Sequence, residues 1–375
     1  MSYDPNQQRA PKGTDTGGRW VDQGGGSAGG GGTRGGSKAI AAEPTTPPGT
    51  PPAYKPDVES DDDGDGVTDR ARVGVGANEI PPPPVVPRLP HLSQQEREAE
   101  TAFAEAYEVD PGGMARKYLG MVRTDGSPVK FETDEAKNLF APWAGDGVSE
   151  GQRAEVRSTM NTALHQTANS ITKRAFVIHL DQMSPEDRKK GLLVTVGGVG
   201  SGKGFAIKNL ADKVPEVDIK RYGVVWDSAG DQNATENPWL LREAARRGIP
   251  VTYVYVSSDP KTSWADPDRG VVKRARNPNN GRMVDAAVFA DSYVLGAKNH
   301  HAFSKANDGK AKFVYIENGK TVRSLPGVPP SDLTRDRRAL RTFAVDAVEK
   351  DPDIEPRIKR GALGGARIWK KEGRA

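Results

Sequence analysis

The chain contains no cysteine. Disulfide frameworks and thiolate metal sites are therefore excluded. No apolar run reaches membrane-spanning length, so an integral helical membrane protein is not expected. The opening residues, MSYDPNQQRA, lack the basic-then-apolar order of a secretory leader. The expectation is a soluble cytoplasmic protein, with a signal-free export route left open. Charge of one sign is also lacking, because the formal net charge is only +4. That value makes no demand for a nucleic-acid partner, though it suits a phosphorylated substrate. Hydrophobic residues make up only 35% of the chain, too few for all of it to share a packed core.

What is plentiful is glycine and proline, 43 and 29 of 375 residues. They crowd into residues 1–92, expected to form a disordered arm. GGGSAGGGG reads as flexible coil, and IPPPPVVPRLP as a semi-rigid polyproline spacer. Within the arm, Asp61, Asp63 and Asp65 alternate before Gly66, with Asp69 beyond, like the first half of a calcium loop. Arg72 stands where such a loop ends in glutamate, and no helices flank it, so a solvated acidic linker is the expected reading. RAPKGTDTGGRWVDQ is similar to short N-terminal tracts on proteins of phages and mobile elements.

Folded structure is expected from Ser93 onward. SQQE is a capping box that opens a helix, which Pro111 and two glycines should stop. GMARKYLGMV reads as a second helix, Val129–Phe131 as a strand, and TDEAKNLF as a helix with Thr133 or Asp134 near its start. Residues 150–181 suggest one or two long helices with Leu164, Ala168, Ile171 and Ala175 on one face. Residues 93–190 thus read as a mostly helical segment with a strand near 129–131. From 191 to 375, apolar strands (LLVTV, YGVVWD, PVTYVYV, KFVYIE) alternate with helices. One such helix is FAIKNLADKV, and a last helix, LTRDRRALRTFAVDAVEK, precedes a basic tail. The expectation is an α/β fold of P-loop NTPase type, a mostly parallel sheet with helices on both faces.

The stretch GGVGSGKG, Gly197 to Gly204, carries the chemistry. It joins an apolar strand to a helix and fits G-x-x-x-x-G-K. Glycines let such a loop curl so that its N–H groups face a phosphate, and the following helix adds its positive end. Gly197, Gly198, Val199, Gly200, Ser201, Gly202, Lys203, Gly204 and Phe205 are the candidate nucleotide-binding residues, with Lys203 reaching the β- and γ-phosphates. ATP and Mg2+ are the expected cofactors. The position after Lys203 is Gly204, where most such loops carry Ser or Thr for magnesium. Loops of adenylate-kinase type also read GKG, usually with Thr or Ser next, but Phe205 follows here. Magnesium is therefore expected to be held through waters by acids elsewhere, or the loop binds and catalyses poorly. Asp227, closing YGVVWD, is the candidate metal acid and also a candidate substrate contact. Its structural alternative is a turn or cap, and Asp231 is second choice. The run DRGVVKRARNPNNGRMVD supplies five cationic side chains, among them Arg269, Lys273, Arg276 and Arg282, either to the transferring phosphoryl group or as a solvated surface.

From the loop onward the sequence resembles the zeta-toxin family of P-loop kinases, over roughly residues 190–320. The loop, VVWDSAG, AARRGIPVTYVYV, the spaced Arg269 and Arg282, and FVYIENG ending in Asn318 carry the resemblance. It implies transfer of the γ-phosphate of ATP to a nucleotide-sugar, foremost UDP-N-acetylglucosamine, restraint by an antitoxin protein, and Asn318 at the nucleotide. The strand with the family's catalytic acid is missing after the loop helix. VKFETDEAKNLFAPW resembles that strand and ALHQTANSITKRAF its following helix, so the substrate-binding piece is expected upstream, in permuted order. That places Asp134 as general base and Lys137, His165 and Asn169 at the substrate. The structural alternatives are a helix cap for Asp134 and a packed polar residue for His165. A nucleoside or nucleotide kinase, or a non-catalytic nucleotide-binding module of a phage-like element, stand as alternatives.

Overall fold

The Ser93 hydroxyl accepts the Glu96 amide while the Glu96 carboxylate takes the Ser93 N–H at 2.9 Å, so helix α1 (Gln94–Val109) opens with the expected capping box. The computed structural model describes Val86, Leu89 and residues 92–122, 128–212, 214–267, 270–275, 282–317, 321–323 and 328–354. It also describes Pro356, Ile358, Lys359 and Leu363. All of these belong to one unit, residues 77–375. The expected arm, its acidic stretch and its phage-like tract lie outside the described residues, apart from Val86, Leu89 and Leu92.

The chain continues through α2 (Pro111–Val122), β1 (Val129–Glu132), α3 (Thr133–Ala136), α4 (Ala141–Ala144), α5 (Glu150–Thr159), α6 (His165–Gln182) and α7 (Pro185–Lys190). Then come β2 (Leu192–Val196), α8 (Lys203–Leu210), β3 (Val224–Asp227), α9 (Glu236–Ala245), β4 (Val251–Ser257), α10 (Pro260–Ala265) and α11 (Val271–Ala275). The last elements are α12 (Ala286–Ala306), β5 (Lys312–Glu317), β6 (Thr321–Arg323), α13 (Pro330–Leu333) and α14 (Arg337–Glu349).

The strands form one sheet in the order β1-β3-β2-β4-β5-β6. The first five are mutually parallel, and β6 returns antiparallel on β5. Continuous apolar runs explain the central strands. β2 is buried along its whole length, as a parallel strand covered on both faces should be. One face carries Val194, Trp226, Tyr253 and Phe131 into a core with α1, α2, α6 and α9. The other face carries Leu193, Val225, Val254 and Ile316 against Ala206 and Leu210 of α8. A third cluster joins α10, α11, α12 and α14 around Trp264, Phe289 and Tyr293.

β1 enters this sheet from upstream of the loop and pairs with β3, Phe131 beside Trp226 and Glu132 beside Asp227. Its alternating pattern VKFE is that of a half-buried edge strand. Phe131 packs edge-on against Phe176 of α6, with ring centroids 5.2 Å apart. Tyr118 of α2 satisfies the main chain of Glu132, donating to its carbonyl at 3.0 Å and accepting its amide at 2.9 Å. That closes part of an edge that would otherwise be open to another strand.

Three expectations change. The first helix stops at Val109 as expected, but the second opens at Pro111 and not at Gly113, because a proline in the first turn loses no hydrogen bond there. The loop helix starts at Lys203, not Phe205, because Gly202 adopts φ 85° as its N-cap. The last helix starts at Arg337 and not at Leu333, because the Asp336 carboxylate accepts the Ala339 amide at 3.0 Å and caps α14.

Candidate functional site

The glycine loop leaves the carboxyl end of β2, at the middle of the sheet. Its curvature depends on missing side chains. A Cβ on Gly197 would lie 2.4 Å from the Val256 carbonyl oxygen, and one on Gly198 would lie 2.5 Å from the Tyr293 ring. Two loop amides are used internally. Val199 N–H donates to Ser292 Oγ at 3.0 Å, and Ser201 N–H to the Gly198 carbonyl at 3.0 Å. Among the described residues the buried Ser201 hydroxyl has no hydrogen-bond partner.

Lys203 folds back over the loop. Its Nζ donates to the Gly197 carbonyl at 3.3 Å and stands 4.0 Å from Asp227 Oδ1. Burial lowers the pKa of this ammonium, and Asp227 opposes that shift. Asp227 is neither helix cap nor turn residue. Its Oδ1 accepts the Thr195 hydroxyl at 2.9 Å and its Oδ2 meets Lys130 Nζ at 3.0 Å. Lys130 also pairs with Glu132. Period-two alternation puts Lys130 and Glu132 on the α8 face of the sheet, the face shared by Thr195 and Asp227. Burial disfavours the Lys130 ammonium, but Asp227 and Glu132 outweigh burial and raise its pKa.

Past the carboxyl end of β1, Asp134 is held by two cations. Lys137 Nζ meets its Oδ1 at 2.9 Å, and Arg282 pairs with its Oδ2. Lys137 is buried and also donates to Asn161 Oδ1 at 2.6 Å. Burial would raise the Asp134 pKa, but Lys137 and Arg282 pull it far below the usual carboxylate range. The group is ionised at every physiological pH. His165, crowded by protein and next to the Lys137 charge, has its pKa lowered to about 4 and is neutral at pH 7.

Lys203, Asp227, Asp134, Lys137, Arg282 and His165 meet in one cleft of about 840 Å³, whose lining does not include Lys130 or Thr195. The loop from Val199 to Phe205 lines one part, and Asp134, Lys137, His165 and Asn169 another, with Asp227 and Arg282 between. Gly197 and Gly198 are not lining residues. Phe205 is the exposed aromatic of the loop, 52% accessible. Asp134, Arg282 and Arg274 also line a smaller cavity of about 230 Å³ with Arg157 and Trp143. Arg269 and Asn318 lie outside the described residues, as does Arg276. Asp231, second choice for the metal acid, is a local cap. Its oxygens accept the amides of Thr235 and Asn237, each at 2.9 Å.

Sequence reasoning missed Lys130, Thr195, Lys173 and Glu236. The alternation in VKFE was the available signal for Lys130, and the four-residue spacing His165, Asn169, Lys173 was the signal for a polar stripe on α6. Glu236 bonds to the Ser228 hydroxyl, and burial raises its pKa. No sequence pattern marks it.

The expected magnesium site does not fit these residues. Gly204 has no hydroxyl, and both Asp227 oxygens are engaged. Among the described residues no three His, Cys, Asp or Glu side chains gather as around a metal ion. Beside the loop, space is open at Gly202 and Gly204, and the Lys203 ammonium lies over the Gly197 carbonyl. No protein-family model matches the chain, and no curated protein matches it either.

Proposed function

We propose that this chain is a kinase of P-loop NTPase fold that moves the γ-phosphate of ATP to a nucleotide-sugar, with UDP-N-acetylglucosamine the foremost acceptor. One observation carries the reading: a glycine loop with an inward lysine shares a single cleft with a cation-held carboxylate just past the end of a separate strand. The sheet order supports it, since the loop leaves the central strand between β3 and β4. Ligands of open parallel sheets bind beyond the carboxyl ends of the strands.

A bound triphosphate supplies the transferable phosphoryl group. Lys203 and the loop hold the polyphosphate by charge and main-chain donors. Asp134, ionised and oriented by Lys137, accepts the hydrogen bond of the acceptor hydroxyl and takes its proton as the new P–O bond forms and the bond from the γ-phosphorus to the β,γ-bridging oxygen breaks, releasing ADP. Arg282 stands beside Asp134 and would turn to the phosphoryl oxygens, with Arg269 assigned the same task. His165, neutral, and Asn169 offer hydrogen-bonding groups to the acceptor. No helix among the described residues is long and apolar enough to cross a membrane. The reading places the protein in the cytoplasm, with an antitoxin protein as its partner.

The second reading is a nucleotide-binding module without turnover. It is supported by the two cations that already occupy Asp134. Labelled ATP offered with UDP-sugars and nucleosides separates these readings. Label on UDP-N-acetylglucosamine is the expected result. Label on a nucleoside, or binding without transfer, would overturn it.

A further inference from the structure

In a glycine loop of this kind a divalent cation does two jobs. It neutralises the β- and γ-phosphates, and it lets an acidic side chain sit near them without repulsion. In this chain a lysine on another strand already does the second job. Asp227 Oδ2 is bound by Lys130 Nζ at 3.0 Å, while Oδ1 takes the Thr195 hydroxyl at 2.9 Å with Lys203 Nζ 4.0 Å away. The carboxylate is thus compensated from both sides. Magnesium approaching Asp227 would displace or face an ammonium group only a few ångströms off. At about 4 Å, a dication and a monocation repel by roughly twice the unit-charge energy.

The position of Lys130 is not incidental. It lies in the middle of β1, in register with Val225 of β3, so that its side chain shares a face with Asp227 two residues further along the neighbouring strand. It also pairs with Glu132, itself opposite Asp227. Two carboxylates side by side on adjacent strands destabilise each other unless a cation sits between them, and Lys130 is that cation. The loop is consistent with this arrangement, since Gly204 supplies no hydroxyl ligand. The nearby Asp134 is likewise occupied, by Lys137 and Arg282.

We propose that Lys130 replaces the divalent cation at Asp227, so that the loop binds the metal-free polyphosphate of a nucleoside triphosphate. This rests on the nucleotide-binding reading above. Asp227 is then a positioning residue, which anchors Lys203 and Lys130, and not a metal ligand. Removing Lys130 should create a metal requirement. The freed carboxylate would repel the phosphates until magnesium bridges them.

The test is calorimetric titration of the full chain with ATP, in EDTA and in excess magnesium. The wild type is expected to bind in EDTA within about threefold of its affinity in magnesium. Lys130→Met should lose about tenfold or more in EDTA and recover most of it in magnesium. Lys130→Arg, which keeps the charge, should stay close to wild type in EDTA. Thermal melts establish that each variant is folded, and Lys130→Gln replaces Lys130→Met if the latter is not. A wild type that loses tenfold or more in EDTA, or a folded neutral variant indifferent to the metal, overturns the inference while leaving nucleotide binding intact. Absence of ATP binding in both buffers overturns the nucleotide reading itself, and this inference with it.

Discussion

Asp134 and His165 face one cleft, and both have pKa values lowered below neutral, which leaves the carboxyl charged and the imidazole uncharged at pH 7. Two cations hold the carboxyl ionised against its burial, while burial and the same cations hold the imidazole neutral. Asp134→Asn is expected to lower turnover by about 10²-fold or more, as for a lost general base. ATP affinity, measured by calorimetry, should stay within about threefold, because the proposed reaction assigns Asp134 to the acceptor. Unchanged turnover would remove Asp134 from the mechanism. The histidines also make the fold acid-sensitive. His300, stacked on Tyr255 with centroids 5.1 Å apart, has its pKa lowered by burial to about 3. An unfolded histidine titrates near pH 6.5, so the unfolded chain takes up protons that the folded one refuses. Stability should be complete above about pH 6.5 and fall with acid, by at most about 1.4 kcal/mol per pH unit for each such group. Asp134, with its pKa depressed, loses its contribution only well below that window. Melting temperatures from about pH 7 to pH 5 should fall less steeply in His300→Phe than in wild type; equal slopes would contradict the assignment.

At the scale of elements, the loop between β2 and α8 is shaped by what its glycines avoid. Gly197→Ala would drive a methyl into the Val256 carbonyl at 2.4 Å. A loss of about 2–3 kcal/mol in unfolding free energy is expected, with loss of nucleotide affinity. Gly204→Ala meets nothing within 4 Å and lies in α8, so it should be neutral or stabilise by up to about 1 kcal/mol. Chemical denaturation of the pair checks both signs. The contrast explains why much of this region was legible in the sequence. The run LLVTV followed by GGVGSGKG signals a buried strand, a turn that needs glycine, and a helix start. What the run does not announce is the neighbour. Nothing in the loop indicates that Tyr293, on α12, packs against Gly198, or that Ser292 takes the Val199 amide. Element ends were lost for a related reason. Asp110 and Asp336 set helix boundaries through their own caps and turns, which compete with apolar periodicity over the same residues.

At the scale of the whole molecule, the decisive fact is that a strand from upstream of the loop joins the sheet at β3, bringing Asp134 to the same end as Lys203. Its presence was legible because VKFE alternates and TDEA follows at once. Its charge network was not, since Lys130 meets Asp227 only through strand register, which no single segment encodes. The cleft thus draws on residues far apart in the chain, and its meaning turns on whether a polyphosphate enters it. Calorimetric titration of the chain with ATP and GTP, beside Lys203→Met, addresses this directly. The account predicts saturable heat for wild type and an affinity reduced by about tenfold or more in the folded variant. No heat with either nucleotide, or a variant that binds as tightly as wild type, would contradict it.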